Sequence, residues 1–265
     1  MKIMKKHKGL VILFIVISLL VLSACGKSEQ SGLESIKEKG KIVIATSGDN
    51  PPTIFPNEKN ELVGIDADWA VIIAKDLGVE IEWKRVDFKG IIPGITSGNF
   101  DIGMSGILVT EERKKAIDFS EPYANDEAVV IFPEEVTNIK SPKDIKDKIV
   151  GVVTGSSNGE APVKEIGGYK ELKQYPGVAQ ALADLQNERV DVVVTGKVAA
   201  GHWLKSEGKG YKMSEEGIAG TGMAAVISKE NKDLTEAINK AILKAKEEGK
   251  YEEIAEKWLD TTFSE

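Results

Sequence analysis

Four consecutive residues, Thr110-Glu111-Glu112-Arg113, set a cation where a helix favours an anion. With Thr110 as N-cap, Glu111 and Glu112 sit well in the field of a helix start, whereas Arg113 is disfavoured there by about 0.3 kcal/mol or more. Two readings follow. Arg113 meets an incoming anion, its guanidinium fork and the helix N–H groups forming a carboxylate site, or it makes a structural ion pair with Glu112 or Asp118. A second candidate is Val153-Thr154-Gly155-Ser156-Ser157-Asn158-Gly159, which follows a strand-like run. Small residues there let the backbone approach a ligand, and the helix start that follows offers N–H donors. A plain strand–helix turn with a serine cap fits the same residues. The segment lacks the Gly-x4-Gly-Lys-Ser/Thr pattern of a phosphate loop. Phe88, at a candidate strand end, is placed to pack on a ligand or into the core.

The inventory of reactive groups is thin. Leu22-Ser23-Ala24-Cys25-Gly26 contains the only cysteine of the 265 residues. Ahead of it lie Lys2, Lys5, Lys6 and Lys8 and an apolar run from Leu10 to Leu22. That is the layout of an export signal with a small-residue cleavage site, and the run is shorter than the about 20 residues a spanning helix needs. Ser23-Ala24-Cys25-Gly26 resembles the bacterial lipobox, which implies a signal peptide over residues 1–24, lipid on the Cys25 sulfur and a location outside the cytoplasm, tied to the cell membrane. Residues 25–32 read as a flexible tether. Loss of residues 1–24 removes four lysines and no acid, leaving 31 Lys and Arg against 42 Asp and Glu, a net charge of −11. Such a surface argues against nucleic acid and against adhesion to anionic lipid by charge. His202 would be the only histidine left, too little for a zinc site and a narrow base for a Ser-His-Asp triad. No metal, no cofactor and no catalytic group is expected.

These residues need elements to hold them. Lys41–Thr46, Val79–Val86, Asp101–Ser105, Ala128–Phe132, Ile149–Val153, Val190–Val194 and Met223–Ile227 read as strands. Helices are expected over Asp66–Leu77, closed by Gly78, and over Gly90–Ser97, Ser157–Ile166, Val178–Glu188, Leu234–Leu243 and Tyr251–Trp258, with a helical turn at Pro142–Lys146. Alternation of this kind predicts an α/β fold with covered sheet faces. Asn99-Phe100-Asp101-Ile102-Gly103 is echoed by Arg189-Val190-Asp191-Val192-Val193, each following a helix. Two such units suggest two similar lobes enclosing a cleft at their strand ends.

Leu62-Val63-Gly64-Ile65-Asp66-Ala67-Asp68, Asp87-Phe88-Lys89-Gly90-Ile91-Ile92-Pro93, Ser105 through Arg113, and Ile117-Asp118-Phe119-Ser120-Glu121-Pro122-Tyr123 resemble, in order and spacing, the family 3 extracellular solute-binding proteins, the polar amino-acid receptors of ABC importers. The resemblance runs from about Gly40 to Trp258. It implies a two-lobed periplasmic-binding-protein fold of type II with a two-strand hinge, lobe 1 being residues 33–127 plus 223–265 and lobe 2 residues 128–222. It implies a monomeric, non-enzymatic receptor for a carboxylate-bearing solute, delivering it to an ABC permease. By the same resemblance Arg113 grips the solute carboxylate, Ser105 and Gly106 offer polar contacts, Phe88 packs on the solute side chain, and Ser156 and Ser157 close over the carboxylate with backbone N–H groups. Departures are also evident. Gly196 stands where the family has the aspartate that holds the ammonium, Leu108 where it has a hydroxyl, and Ser47 and Asn50 where it has an aspartate and an aromatic. An ammonium left without partners would cost several kcal/mol, so either Asp49 or Glu160 compensates or the solute is not an ordinary α-amino acid. Two alternatives share the fold: an enzyme resembling cyclohexadienyl or arogenate dehydratase with Glu160 as acid, and a sensory solute receptor.

Overall fold

The structure is a computed structural model and describes residues 32–259; Cys25, the signal and the tether lie outside them. The chain runs α1 (Gly32–Lys39), β1 (Lys41–Thr46), β2 (Phe55–Pro56), β3 (Leu62–Val63), α2 (Ile65–Leu77), β4 (Glu80–Arg85), α3 (Ile91–Thr96), β5 (Ile102–Gly103), α4 (Glu111–Lys114), β6 (Asp118–Phe119) and β7 (Ala124–Pro133). It continues with β8 (Ile149–Val153), α5 (Glu160–Ile166), β9 (Glu171–Tyr175), α6 (Val178–Gln186), β10 (Val192–Gly196), α7 (Lys197–Ser206), β11 (Tyr211–Met213), β12 (Ile218–Met223), β13 (Val226–Ile227), α8 (Lys232–Glu247) and α9 (Lys250–Leu259).

Two sheets result. One has the order β4-β1-β5-β13-β6, the other β11-β7-β10-β8-β9 with β12 also paired to β7. The apolar runs of β1 and β8 are buried as strands covered on both faces must be. On one face of the first sheet, Ile42 and Ile44 pack with Trp69 and Ile73 of α2 and with Ile238 and Ile242 of α8. Its other face packs Ala45 and Val226 on Ile91 and Ile95 of α3. In the second sheet, Val129 and Val193 face α6 and α7, while Val130 and Val150 face Val163 of α5. Helix α2 stops at Gly78, whose φ of 74° is left-handed and whose following N–H, that of Val79, reaches back to Ala74 O at 3.0 Å, the C-terminal arrangement a glycine permits.

The repeated Asp-containing strands have one geometry. Asp101 N–H donates to Val43 O at 3.0 Å and its Oδ2 accepts Val43 N–H at 2.7 Å. Asp191 N–H donates to Ile149 O at 2.8 Å and its Oδ2 accepts Ile149 N–H at 2.7 Å. Each aspartate therefore closes the first rung between two neighbouring strands, β1–β5 in one sheet and β8–β10 in the other.

The chain passes between the sheets twice, in β7 and in β12, paired antiparallel from Met223↔Ala124 to Ile218↔Ala128 with an irregularity between Ala219 and Gly222. Several expectations need correction. Met223–Ile227 is not one strand: Met223 ends β12, and β13 begins at Val226 after Ala224 and Ala225. The helix expected from Ser157 begins at Glu160. Strand β7 starts four residues before the expected Ala128, because its first part pairs with β12. Among the described residues no helix is long and apolar enough to cross a membrane.

Candidate functional site

A cleft lies between the two main sheets, with about 530 Å³ of atom-free space counted together with its open mouth. Lobe 1 contributes Ser47, Asn50, Phe88, Ser105 and Gly106, and the facing side Asp126, Ser156, Asn158 and Gly196. The loops after β1, β4 and β5 supply the first group, and the loop after β8 and the end of β10 supply most of the second. The site thus lies at C-terminal strand ends, as open α/β sheets dictate.

Arg113 lies beside this cavity and bridges the lobes. Its Nη1 donates to Leu108 O at 2.8 Å and to Ser157 Oγ at 3.2 Å, and its Nη2 donates to Gly155 O at 2.8 Å. Its guanidinium carbon stands 5.7 Å from the centre of the Phe88 ring, within cation–π range. Among the described residues no carboxylate pairs with it: Glu112 is taken by Lys115 at 2.5 Å and Glu111 by Lys114 at 2.8 Å. The structural ion pair with Glu112 or Asp118 is therefore absent. Removal from water, uncompensated by an acid, pulls the Arg113 pKa down from 12.5 to about 10. A guanidinium has five N–H donors; three are used, leaving Nε–H and one Nη2–H, a pair suited in number to a two-oxygen acceptor. The dipole reason for singling out Arg113 is weaker than its sequence suggested, because α4 is a single turn of four residues. Thr110 does cap it, accepting Arg113 N–H at 3.2 Å.

Other expected residues are placed differently. Leu108 is 2% exposed and its side chain belongs to the lobe 1 core; only its carbonyl reaches Arg113. The Gly106 amide, at φ 62°, donates to Asp66 Oδ2 at 2.7 Å, and the Ser105 hydroxyl lies 2.9 Å from that of Ser47. Both residues line the cavity with these groups already engaged. Ser156 N–H donates to Val153 O at 3.1 Å, and its Oγ accepts Glu160 N–H at 3.0 Å. The cap position of α5 is Gly159 rather than a serine, with the Ser156 hydroxyl accepting the first N–H from four residues back, and Ser157 takes part through its hydroxyl on Arg113. Phe88 lines the cavity and packs at the edge of the Ile91–Ile95 cluster.

The compensating acids are also revised. Glu160 faces its own loop. Its carboxylate accepts from Gly155 N–H and Gln174 Nε2 and pairs with Lys164 at 2.5 Å. Burial alone pushes its pKa up, yet the bonds from Lys164, Gly155 and Gln174 together hold it below the usual range. Asp49 does line the cavity, with its Oδ2 where a Cβ on Gly177 would come within 1.6 Å. Burial raises its pKa, and Ser47 and Arg85 offset part of that.

Asp126, on β7, was not singled out by sequence. A Cβ on Gly196 would lie 1.8 Å from Asp126 Oδ2 and 2.5 Å from Asn158 Nδ2, so the Asp126 carboxylate occupies the space beside Gly196 that a side chain there would enter. Asp126 Oδ1 accepts Glu127 N–H at 3.0 Å and Val198 N–H at 3.1 Å, and Oδ2 accepts from Asn158 Nδ2 at 2.9 Å. Desolvation lifts its pKa to about 7 despite these bonds. Gly196 therefore does not leave that end of the cleft without an acid. Asp66 was quoted for its motif alone; fully buried, it ties the Ser105–Gly106 loop to Tyr123, whose hydroxyl donates to Oδ1 at 2.9 Å. Its sequence signal is a lone acid among the apolar positions of α2.

Residues 42–261 match the family model of bacterial extracellular solute-binding proteins, family 3. The chain is 31% identical over 257 residues to the arginine-binding extracellular protein ArtP of Bacillus subtilis (strain 168), covering 95% of this chain and 98% of that one. It is similar in structure to an ancestral arginine-binding protein bound to glutamine, with a TM-score of 0.79, 38% identity and coverage of 84% and 99% of the two chains. It is also similar to an ancestral amino acid-binding protein described as a precursor of cyclohexadienyl dehydratase, with a TM-score of 0.80, 28% identity and coverage of 88% and 100%.

Proposed function

This chain belongs to the bacterial extracellular solute-binding proteins, family 3, and we propose that it captures an α-amino acid or closely related carboxylate outside the cytoplasm and delivers it to an ABC permease. The observation that carries this reading is Arg113: a cation drawn out of water between two lobes, with carbonyls and a hydroxyl as partners and no acid among the described residues. A carboxylate accepting Nε–H and Nη2–H would form a charge-assisted fork roughly twice as strong as the neutral bonds it joins. Because Leu108 lies in lobe 1 and Gly155 and Ser157 in lobe 2, a solute on Arg113 contacts both lobes only when they close. Closure is then a population shift drawn by contacts that exist in one state, with β7 and β12 as the flexing strands. Ser47, Asn50, Ser105, Gly106, Phe88, Ser156 and Gly196 shape the cavity around the solute. Lipid on Cys25 anchors a monomeric receptor to the cell membrane.

A dehydratase on the same fold needs a proton donor in the cleft. The acid first considered for that role, Glu160, is turned into its own loop and held ionised, which favours the receptor. A thermal-shift screen of the standard α-amino acids and L-cystine tests the proposal, since a solute that binds only the folded protein raises Tm. A Tm rise with at least one of them, confirmed by calorimetry, is expected. No rise with any would overturn it.

A further inference from the structure

We infer that Asp126 holds the α-ammonium of the solute, and that Gly196 is glycine so that this carboxylate can reach the cleft from the crossing strand β7. The inference rests on the amino-acid reading above and concerns which residue makes the second half of the site. A zwitterion whose carboxylate lies on Arg113 carries its ammonium one carbon away, and a buried ammonium needs an anion. Asp49 and Asp126 are the acids lining the cavity among the described residues. Asp49 is turned onto Gly177 and lies within the field of Arg85. Asp126 has three neutral donors, from Glu127 N–H, Val198 N–H and Asn158 Nδ2, and no cation among the described residues. Lys197, which follows Gly196, pairs with Glu127 instead. Up to four acceptor sites exist on a carboxylate, so an ammonium can be added without displacing those bonds.

Gly196 supports the assignment from the other side. Its backbone is ordinary extended chain, with φ −69° and ψ 144°, so no strain calls for glycine there. A side chain at 196 would have to displace Asp126, whose Oδ2 stands 1.8 Å from where its Cβ would be. Asp126 also does work that a residue at 196 would normally do for α7. That helix has no side-chain cap from Gly196, and Asp126 Oδ1 accepts the Val198 N–H in its place. The carboxylate comes from the neighbouring strand β7 on the same side of the cleft, and glycine at 196 admits it.

Capping alone would also preserve Asp126, so the test must separate capping from solute contact. Affinities of L-arginine and L-glutamine are measured by calorimetry beside their α-deamino analogues, 5-guanidinopentanoate and glutaramate, for the wild type, Asp126→Asn, and the exchange variant Asp126→Gly/Gly196→Asp. Asparagine keeps an acceptor for Val198 N–H but loses the charge. The wild type is expected to bind at least one of the amino acids and to discriminate against its analogue by about 30-fold or more, in line with removal of one partner of a buried charge pair. Asp126→Asn is expected to bind that amino acid about 30-fold more weakly and to discriminate less than about threefold. Asp126→Asn with wild-type affinity or undiminished discrimination overturns the inference and leaves the amino-acid reading standing. A wild type that binds neither amino acid, nor any other in the screen, overturns both. Should Asp126→Asn melt well below the wild type, the exchange variant decides: restored discrimination supports the inference, and its absence overturns it.

Discussion

Replacing Arg113 with methionine keeps the length and apolar stem of the side chain and removes the guanidinium. Two opposed effects act on the protein without solute. Its pKa of about 10 against 12.5, at about 1.4 kcal/mol per tenfold in proton affinity, puts the desolvation of Arg113 at about 3 kcal/mol. The bonds to Leu108 O, Ser157 Oγ and Gly155 O return about 1 kcal/mol each. The two nearly cancel, so the unfolding free energy of Arg113→Met from urea melts should stay within about 1 kcal/mol of the wild type. Binding should respond differently. The solute carboxylate loses its charged partner and remains in a cleft poor in water, which costs about 2–5 kcal/mol, or about 30-fold to several-thousand-fold in Kd. Arg113→Lys keeps the charge without the planar fork and should fall between the two. Calorimetry with the tightest amino acid from the screen gives Kd, and urea melts give stability. An unchanged Kd together with a stability loss above about 3 kcal/mol would refute the reasoning and make Arg113 a strut between lobes.

Acid should weaken solute binding: Asp126, with a pKa of about 7, must be ionised to meet an ammonium, so affinity should drop as pH falls from 8 to 6 and binding near pH 7 should release protons, with Glu127 and its partner Lys197 as the neighbouring charges. Titrations in buffers of different ionisation enthalpy read that release directly, and a pH-independent Kd would contradict it. Asp66→Ala should lower stability by about 2–4 kcal/mol, since it strands the Gly106 N–H and the Tyr123 hydroxyl in the core; chemical denaturation checks this. The Asp66 pKa of about 7 lies above its unfolded value, so its contribution is full below about pH 4 and is lost as pH rises through 7; Asp66→Asn should flatten that part of the stability profile. Prephenate or arogenate incubated with the protein should remain unconverted by chromatography, and turnover would favour the enzyme alternative.

The sequence exposed what depends on local pattern. Continuous apolar runs located β1 and β8, an apolar helical face closed by Gly78 located α2, and the Asp101 and Asp191 echo gave the doubled architecture before any contact was known. Strand β9 escaped because Glu171-Leu172-Lys173-Gln174-Tyr175 is an edge strand whose polar residues mask its alternation. Strand β12, Ile218-Ala219-Gly220-Thr221-Gly222-Met223, escaped because its glycines carry no strand preference; it is held by pairing with β7, about 95 residues earlier. The site was half legible for a similar reason. Arg113 stood out from its immediate neighbours, although a four-residue helix gives the dipole little to act on. Asp126 did not, because its partner Gly196 is 70 residues away and only their shared space relates them. Gly196 announced that an acid had to come from elsewhere. Choosing Asp49 or Glu160 by position went astray at Glu160, where Lys164, Gly155 and Gln174 surround the carboxylate.

The pairing of Ala124 with Met223 has an architectural consequence. Everything from Asn125 to Gly222 leaves the first sheet and returns to it at adjacent points, about 5 Å apart as neighbouring strands are. The second lobe is thus an insert whose entry and exit nearly touch, a cassette in an otherwise continuous unit. Excision would demand a patch of only two or three residues, the span of a tight hairpin. The remainder would keep Arg113 and the Ser105–Gly106 loop, and would offer half a grip: an anion perch open to water, unable to enfold its guest.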